Sequence, residues 1–455
     1  MSKILKPDGL RGIAVTELSC ELMLYIGRAT AQVISRSCQH PPVFYVAHDP
    51  RRSADILEAA LCAGICSGGG MVTKLGVLPS PAAALLIARE EADAGFVLTG
   101  GSATYEYTGL QMLTKDGLPM SEEMLASIEA MMPGGMPMPP KSHRSCGLMT
   151  EDHGAAERYL QLLHEVKDTP TEQLSMRIAI DCANGSLSSI AERVFRSLGA
   201  EVLVRNNAPN GVNINKDCGV TDVQNLLDFV TRKQCQAGFA FDGDGARCIA
   251  ADEKGELLDG DRLLAVFMMD ALERGKLAAQ GVAATVMSNM GFLRYAKEKG
   301  ILVHTTQPTP RFVQERVRSA ELSLGGERGG HLFFSDMPAS DGIVTALRLL
   351  EIMQRTKKSL SELGADMAHD PQVLLNVKIA SCWREIWKND GPITEKIASY
   401  ENKLGADGRV LVRELPKDAV IQILLEGRDF RKINTYAMEI ADMITQRTEL
   451  VPAKN

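Results

Sequence analysis

Two aspartates separated by one glycine, Asp242 and Asp244 in Ala240-Phe-Asp-Gly-Asp-Gly-Ala-Arg247, are the residues of this sequence best spaced for chemistry. They follow a strand-like apolar run. Gly243 and Gly245 let the backbone turn tightly enough for both carboxylates to face one hard cation. The same spacing also makes an ordinary Asp/Gly turn, since these residues favour turns in any case. A second loop, Gly325-Gly-Glu-Arg-Gly-Gly-His331, sets Glu327, Arg328 and His331 among four glycines. That composition suits a hydroxylated ligand, or simply a flexible surface loop. In Val46-Ala-His-Asp-Pro-Arg-Arg-Ser53 a helix N-terminus follows a strand end, where an anion could sit or Asp49 or Ser53 could cap the helix. In Asp8-Gly-Leu-Arg-Gly12, Arg11 is able to pair with a phosphate.

These loops must be held by regular elements, and the apolar pattern supplies them. Residues 42–47, 71–76 and 94–99 read as strands, with helices over 54–67 and 81–91 between them. The rhythm returns at 177–181, 188–198 and 201–204, and again at 282–287, 291–299 and 302–304. Repeated strand–helix–strand units imply parallel sheets with right-handed crossovers. The predicted class is therefore α/β. Met131–Pro140 is too rich in Pro and Gly for a helix and reads as the exit from the first unit. Lys167–Pro170 reads as the turn before the second, and His369–Pro371 as the hinge to a smaller C-terminal domain.

With 455 residues the chain exceeds what one core serves, so several domains are expected. Fifty basic against 57 acidic residues give a net charge of −7, which argues against a nucleic-acid or anionic-membrane binder. No apolar run reaches the roughly 18–20 residues of a membrane span, and the N-terminus lacks a signal-peptide core, so a cytoplasmic location is expected. The ten cysteines are scattered without zinc-site spacing and are expected to be reduced and buried.

Ten segments then carry a resemblance. PDGLRG at 7–12, LGVLPSPA at 75–82, ADAGF at 92–96, IDCANGS at 180–186 and NINKDCGVT at 213–221 come first. FDGDGAR at 241–247, ADEKGELLDGD at 251–261, TVMSNMG at 285–291, GGERGGH at 325–331 and SDGIVTAL at 340–347 complete the set. In order and spacing the chain resembles the α-D-phosphohexomutases, most closely the bacterial phosphoglucosamine mutases, from about Leu5 to Asp442. The resemblance implies three related α/β domains with mixed or parallel sheets and a small C-terminal α+β domain around a central cleft. It places the domains at 1–150, 151–255, 256–368 and 369–455. It also implies an enzyme that moves a phosphoryl group between the C6 and C1 oxygens of a sugar. A phosphoserine donates it, Mg²⁺ bridges the serine phosphate to three aspartates, a sugar loop binds hydroxyls, and a C-terminal loop clamps the other phosphate.

Against that pattern the sequence departs in each reactive loop. The family serine falls on Gly101, which has no oxygen to phosphorylate. Ser102 is one residue along, about 3.8 Å away and facing another side, so it is a poor substitute. The third aspartate is Ala246, leaving Asp242 and Asp244 for a weak Mg²⁺ site or none, beside Arg247. The clamp reads Glu414-Leu-Pro-Lys-Asp-Ala419, and its later arginine is Gln422. Glu327 and His331 survive in the sugar loop, whereas the family serine there is Gly329 and Arg328 replaces a polar neutral residue. Arg11, Asp49, Arg51 and Arg311 also survive.

The sequence thus predicts a homologue inactive or strongly impaired as a mutase, acting as a sugar-phosphate-binding, regulatory or scaffolding protein. The alternative is an active phosphotransferase with Ser102 as a displaced nucleophile. The expected partners are a phosphosugar and a second chain, in a homodimer or a heterodimer with an active mutase.

Overall fold

The structure, a computed structural model, describes residues 4–132, 139–166, 168, 173–415 and 419–449. Most of the predicted exit segment at 131–140, most of the turn at 167–170, and Pro416, Lys417 and Asp418 of the clamp segment lie outside the described residues.

The chain forms two compact units. The first comprises Met1–Met287 and Ile301–Asp366 and holds three mixed sheets. In the first sheet, Ala94–Leu98, Val43–His48, Met71–Val77 and Met149–Glu151 run parallel. Tyr107–Thr114 and then Leu10–Ile13 extend it antiparallel to one edge. The second sheet sets Ala237–Phe241, Arg177–Asp181 and Glu201–Arg205 in parallel, with Cys248–Asp252 and Leu257–Leu258 antiparallel beyond them. The third has Leu302–Thr306, Gly281–Thr285 and Leu324–Gly326 parallel, and Leu332–Phe334 antiparallel at its edge. The strands and helices expected from the apolar rhythm are these, within a few residues at their ends. The chain is thus α/β, with a C-terminal α+β domain completing four.

Burial on both faces explains the continuous apolar runs: all five residues of Ala94–Leu98 and all five of Ala237–Phe241 are buried. Phe44 stacks on Phe96 at 5.9 Å, and Phe195 on Phe239 at 6.1 Å. Helices Cys20–Ile34 and Ala54–Ser67 cross in backbone contact. A Cβ at Gly27 would stand 2.4 Å from the Leu61 carbonyl oxygen, and one at Gly64 2.2 Å from that of Leu24.

The second unit comprises Ser288–Gly300 and Met367–Asn455. Its antiparallel sheet orders Gln372–Lys378, Val420–Gly427 and Gly408–Glu414. Val373, Val410, Ile421, Ile423 and Leu425 pack on Ile393, Tyr400, Ile433 and Ile440 of two helices. Helix Met290–Glu298 belongs to this unit. Its cap, Asn289, donates from Nδ2 to the Asp370 carbonyl at 3.0 Å and to Glu426 Oε1 at 3.1 Å.

All ten cysteines are free thiols, but only Cys62, Cys182, Cys218, Cys235 and Cys248 are buried. Cys146 and Cys382 are exposed, contrary to the expectation of uniformly buried thiols. Cys146 lies in an irregular segment and Cys382 in a short 3₁₀ turn, both outside the apolar runs that suggested burial. No helix among the described residues is long and apolar enough to cross a membrane.

Candidate functional site

Three loops of the first unit leave the carboxyl ends of parallel strands, where open α/β sheets gather their ligands. Thr99 and its successors follow Ala94–Leu98, Asp242 follows Ala237–Phe241, and Glu327 follows Leu324–Gly326.

The loop at 99–107 is chemically bare and firmly held. Gly101 has φ +58°, in the left-handed region, and its N–H donates to Thr99 Oγ1 at 2.9 Å. Its carbonyl accepts from Asn215 Nδ2 at 2.8 Å and from Arg51 Nη2 at 3.3 Å. Ala103 accepts from the same two side chains. A Cβ on Gly101 would meet only Arg11 Nη2, at 3.6 Å. Gly100 has no such room: a Cβ there would lie 2.7 Å from both Arg51 Nη2 and the Tyr107 carbonyl. Ser102 is half-buried beyond this turn.

Asp49 and Arg51 are turned inward. Arg51 is 2% exposed and pairs through Nη1 with Asp49 Oδ2, while its backbone N–H donates to Asp49 Oδ1 at 3.2 Å. Burial pushes the Asp49 carboxyl up against the opposing pull of Arg51. Neither Asp49 nor Ser53 caps the following helix in the expected way, because Asp49 is taken by Arg51 and Ser53 makes no capping bond.

At the aspartate loop, Asp242 Oδ1 accepts the Arg247 N–H at 3.1 Å, and its Oδ2 faces Arg247 Nε at 3.5 Å. Those last two atoms are both buried without a hydrogen-bond partner. Asp244 accepts Ser80 Oγ–H at 2.9 Å on Oδ2 and the Ala246 N–H at 3.4 Å on Oδ1. Gly243 lets the loop touch its neighbours: a Cβ there would stand 2.8 Å from Asn215 Nδ2 and 2.9 Å from the Gly101 carbonyl. Burial, and then the Asp244 charge, push the Asp242 carboxyl up to about 8, with Arg247 opposing.

No cluster of three His, Cys, Asp or Glu side chains able to hold a metal occurs among the described residues. Both Asp244 oxygens are engaged, and the one free Asp242 oxygen faces a guanidinium. Asp242 and Asp244 thus offer a hard cation one oxygen without a hydrogen bond, and that oxygen faces Arg247.

The third loop is laced to the second, since the Cys248 N–H donates to the Gly330 carbonyl at 3.0 Å. Glu327 Oε1 pairs with His331 Nδ1 at 2.6 Å, and the imidazole stacks on Phe333. Burial raises the Glu327 carboxyl, but His331 and Arg247 together bring it below its ordinary value. Burial and Arg247 lower His331, with Glu327 opposing. A Cβ on Gly329 would stand 3.3 Å from Glu327 Oε1 and 3.4 Å from Arg247 Nη1. Arg328 turns elsewhere, donating from Nε to Asp259 Oδ2, the cap of helix Gly260–Glu273, at 3.2 Å. Arg311 donates from Nε to Glu315 at 2.6 Å and lies 3.6 Å from Glu122.

Asn215 and Ser80, which hold the first two loops, were not singled out by sequence. Asn215 has φ +56°, and an Asn inside NINKDCG was the available signal. In the second unit Glu414 pairs with Arg384, and Gln422 Oε1 accepts Nε and Nη2 of Arg413 at 2.9 and 2.7 Å.

Comparison with known proteins matches three sequence families in succession. They are phosphoglucomutase/phosphomannomutase alpha/beta/alpha domain I over residues 2–136, domain II over 157–255 and domain III over 259–370. A phosphoglucosamine mutase of Clostridium acetobutylicum is 37% identical over 451 residues, covering 98% of this chain and 100% of that protein. A phosphoglucomutase/phosphomannomutase family protein of Burkholderia thailandensis superposes with a TM-score of 0.78 at 20% identity, over 99% of each chain. N-acetylphosphoglucosamine mutase of Aspergillus fumigatus, in complex with GlcNAc-6P and magnesium, superposes with a TM-score of 0.62 at 14% identity. A serine-to-alanine form of that enzyme, in complex with glucose 1,6-bisphosphate, gives 0.60 at 15% identity. Both cover 81% of this chain and 92% of theirs.

Proposed function

The chain belongs to the phosphoglucomutase/phosphomannomutase family and is most like the phosphoglucosamine mutases, and from that premise we propose that it binds a hexose phosphate without interconverting it. The observation that carries this reading is position 101. The loop that would present a phosphoserine is built and pinned by Arg51 and Asn215, yet the residue at its turn is a glycine with open space before it. Without an oxygen there is no attachment point for a covalent phosphoryl intermediate. Ala246 and the engaged Asp244 support the same reading, because they leave the charge of a transferring phosphoryl group without a divalent cation. Ser102 is the competing nucleophile. It lies about 3.8 Å further along the chain, and misplacement by about 1 Å already costs roughly 10²-fold.

Binding does not need those groups. Glu327, paired with His331, supplies a carboxylate suited to sugar hydroxyls, and Arg11 and Arg247 supply positive charge for a phosphate. The Aspergillus fumigatus N-acetylphosphoglucosamine mutase structure with one serine replaced by alanine, in complex with glucose 1,6-bisphosphate, shows that a protein of this fold binds such a ligand, which supports the binding reading. Association with a second chain is part of the proposal: the edge strand Leu10–Ile13 and its neighbour leave Ile13 40% and Tyr107 50% exposed.

The test is calorimetric titration with glucosamine 6-phosphate and glucose 1,6-bisphosphate, alongside a mutase assay on the same preparation. Saturable binding with no turnover above background is expected. Mg²⁺-dependent interconversion that disappears in Ser102→Ala would overturn the reading.

A further inference from the structure

The aspartate loop offers a hard cation one oxygen without a hydrogen bond, and the group set against that oxygen is a guanidinium. We infer that Arg247 supplies the positive charge of this site in place of a divalent cation, so that a hexose phosphate is bound through its phosphate without metal. The inference rests on the binding reading above and adds to it that the anion is held by a guanidinium with no metal ion.

Four observations carry it. Arg247 Nε is buried and has no hydrogen-bond partner, and Asp242 Oδ2, 3.5 Å away, is equally unpartnered. That separation is too long for a good hydrogen bond, so the carboxyl beside it does not satisfy the guanidinium edge. The guanidinium is therefore left without a hydrogen-bonded counter-charge, and an oxyanion at its accessible end supplies one. Second, the side chain is 25% exposed overall, so the rest of the guanidinium reaches open space while Nε does not.

Third, the neighbouring loop makes room for it. Gly329 stands where the resemblance places a serine, and even a Cβ there would come within 3.4 Å of Arg247 Nη1. A hydroxymethyl group there would take up the space shared by Glu327 and the guanidinium. Fourth, Ala246 has removed the carboxylate that would compete for the same charge. A guanidinium offers five N–H donors in a planar fork that matches two phosphate oxygens. Arg11 Nη2, next to the open position at Gly101, provides a second donor group for the same class of ligand.

The experiment is calorimetric titration of the full chain with glucose 1,6-bisphosphate, once in EDTA and once in excess Mg²⁺, repeated on Arg247→Gln and Arg247→Lys. Expected are equal Kd values in the two buffers within about threefold. Arg247→Gln should bind roughly 10- to 100-fold more weakly, as loss of a charge-assisted hydrogen bond implies, and Arg247→Lys should recover part of that loss. Melting curves of both variants report whether they fold. If Arg247→Gln does not fold, the comparison of buffers on the unaltered chain decides alone. Binding that needs Mg²⁺, or an Arg247→Gln chain with unaltered affinity, overturns this inference and leaves the binding function standing. No binding in either buffer overturns both.

Discussion

Restoring the serine is the sharpest perturbation the structure allows. Gly101→Ser adds a hydroxymethyl group at a backbone φ of +58°. A side chain in the left-handed region costs about 1–2 kcal/mol. Space adds nothing to that cost, because the nearest atom to the new Cβ is Arg11 Nη2 at 3.6 Å, an ordinary contact. For domains of a few hundred residues about 1 kcal/mol lowers Tm by roughly 2–4 °C, so the variant should fold and melt a few degrees lower. Its hydroxyl would face Arg11, which can pair with a phosphoryl group once attached. Turnover should nevertheless stay far below that of an active mutase. On the proposed reading Ala246 leaves the site without a metal ion that would be worth several kcal/mol of transition-state charge, or at least about 10²-fold in rate. Groups that act as a unit are also not restored one at a time. Differential scanning calorimetry measures the first effect. Intact-mass analysis after incubation with glucose 1,6-bisphosphate, and a coupled assay with glucosamine 6-phosphate, measure the second. A variant with the rates of an active mutase refutes the argument from Ala246, and one that fails to fold refutes the argument from open space.

Millimolar Mg²⁺ should leave Tm unchanged, because a site with Kd well above the free concentration contributes almost nothing to stability; a rise of several degrees, abolished by Asp242→Asn, contradicts this. The Asp242 carboxyl keeps its proton up to about pH 8 in the folded chain, whereas the unfolded chain releases it near 3.8. Its contribution to stability is therefore present below about pH 4 and is lost as pH rises through about 8. Asp242→Asn should accordingly be more stable than the parent at pH 8 and little different at pH 4, read from urea midpoints. Arg51→Ala removes the partner of a buried Asp49 and two donors to the 101–103 carbonyls, and should cost about 3–5 kcal/mol in a urea titration.

Particular segments show what was readable before any coordinates. Residues 94–98 and 237–241 are unbroken apolar runs followed by Thr-Gly-Gly and Asp-Gly-Asp, and each is a buried parallel strand with a loop at its carboxyl end. A strand buried on both faces writes itself into the sequence as continuous hydrophobicity, and a turn at its end as glycine and aspartate. Helix Met290–Glu298 shows the limit. Its periodicity marked a helix, but periodicity carries no partner, and the polar contacts of Asn289 with Asp370 and Glu426 tie it to residues 80 or more positions later.

The sequence by itself determined the α/β class, the order of the loops, and the absence of a hydroxyl at 101 and of a carboxylate at 246. Those are matters of residue identity and local pattern, and no folding changes them. Only the tertiary structure decided where the surviving charges point. Arg51 is closed on Asp49 and the carbonyls of Gly101 and Ala103, Arg328 on the cap of a helix, and Arg311 on Glu315. The Arg247 guanidinium instead lies between an aspartate and the sugar loop, 3.5 Å from Asp242 Oδ2 and without a hydrogen-bonded carboxylate. A guanidinium reads the same in every one of these places. Its role is set by which carboxylates and carbonyls long-range packing brings within about 3 Å, and no spacing along the chain encodes that distance.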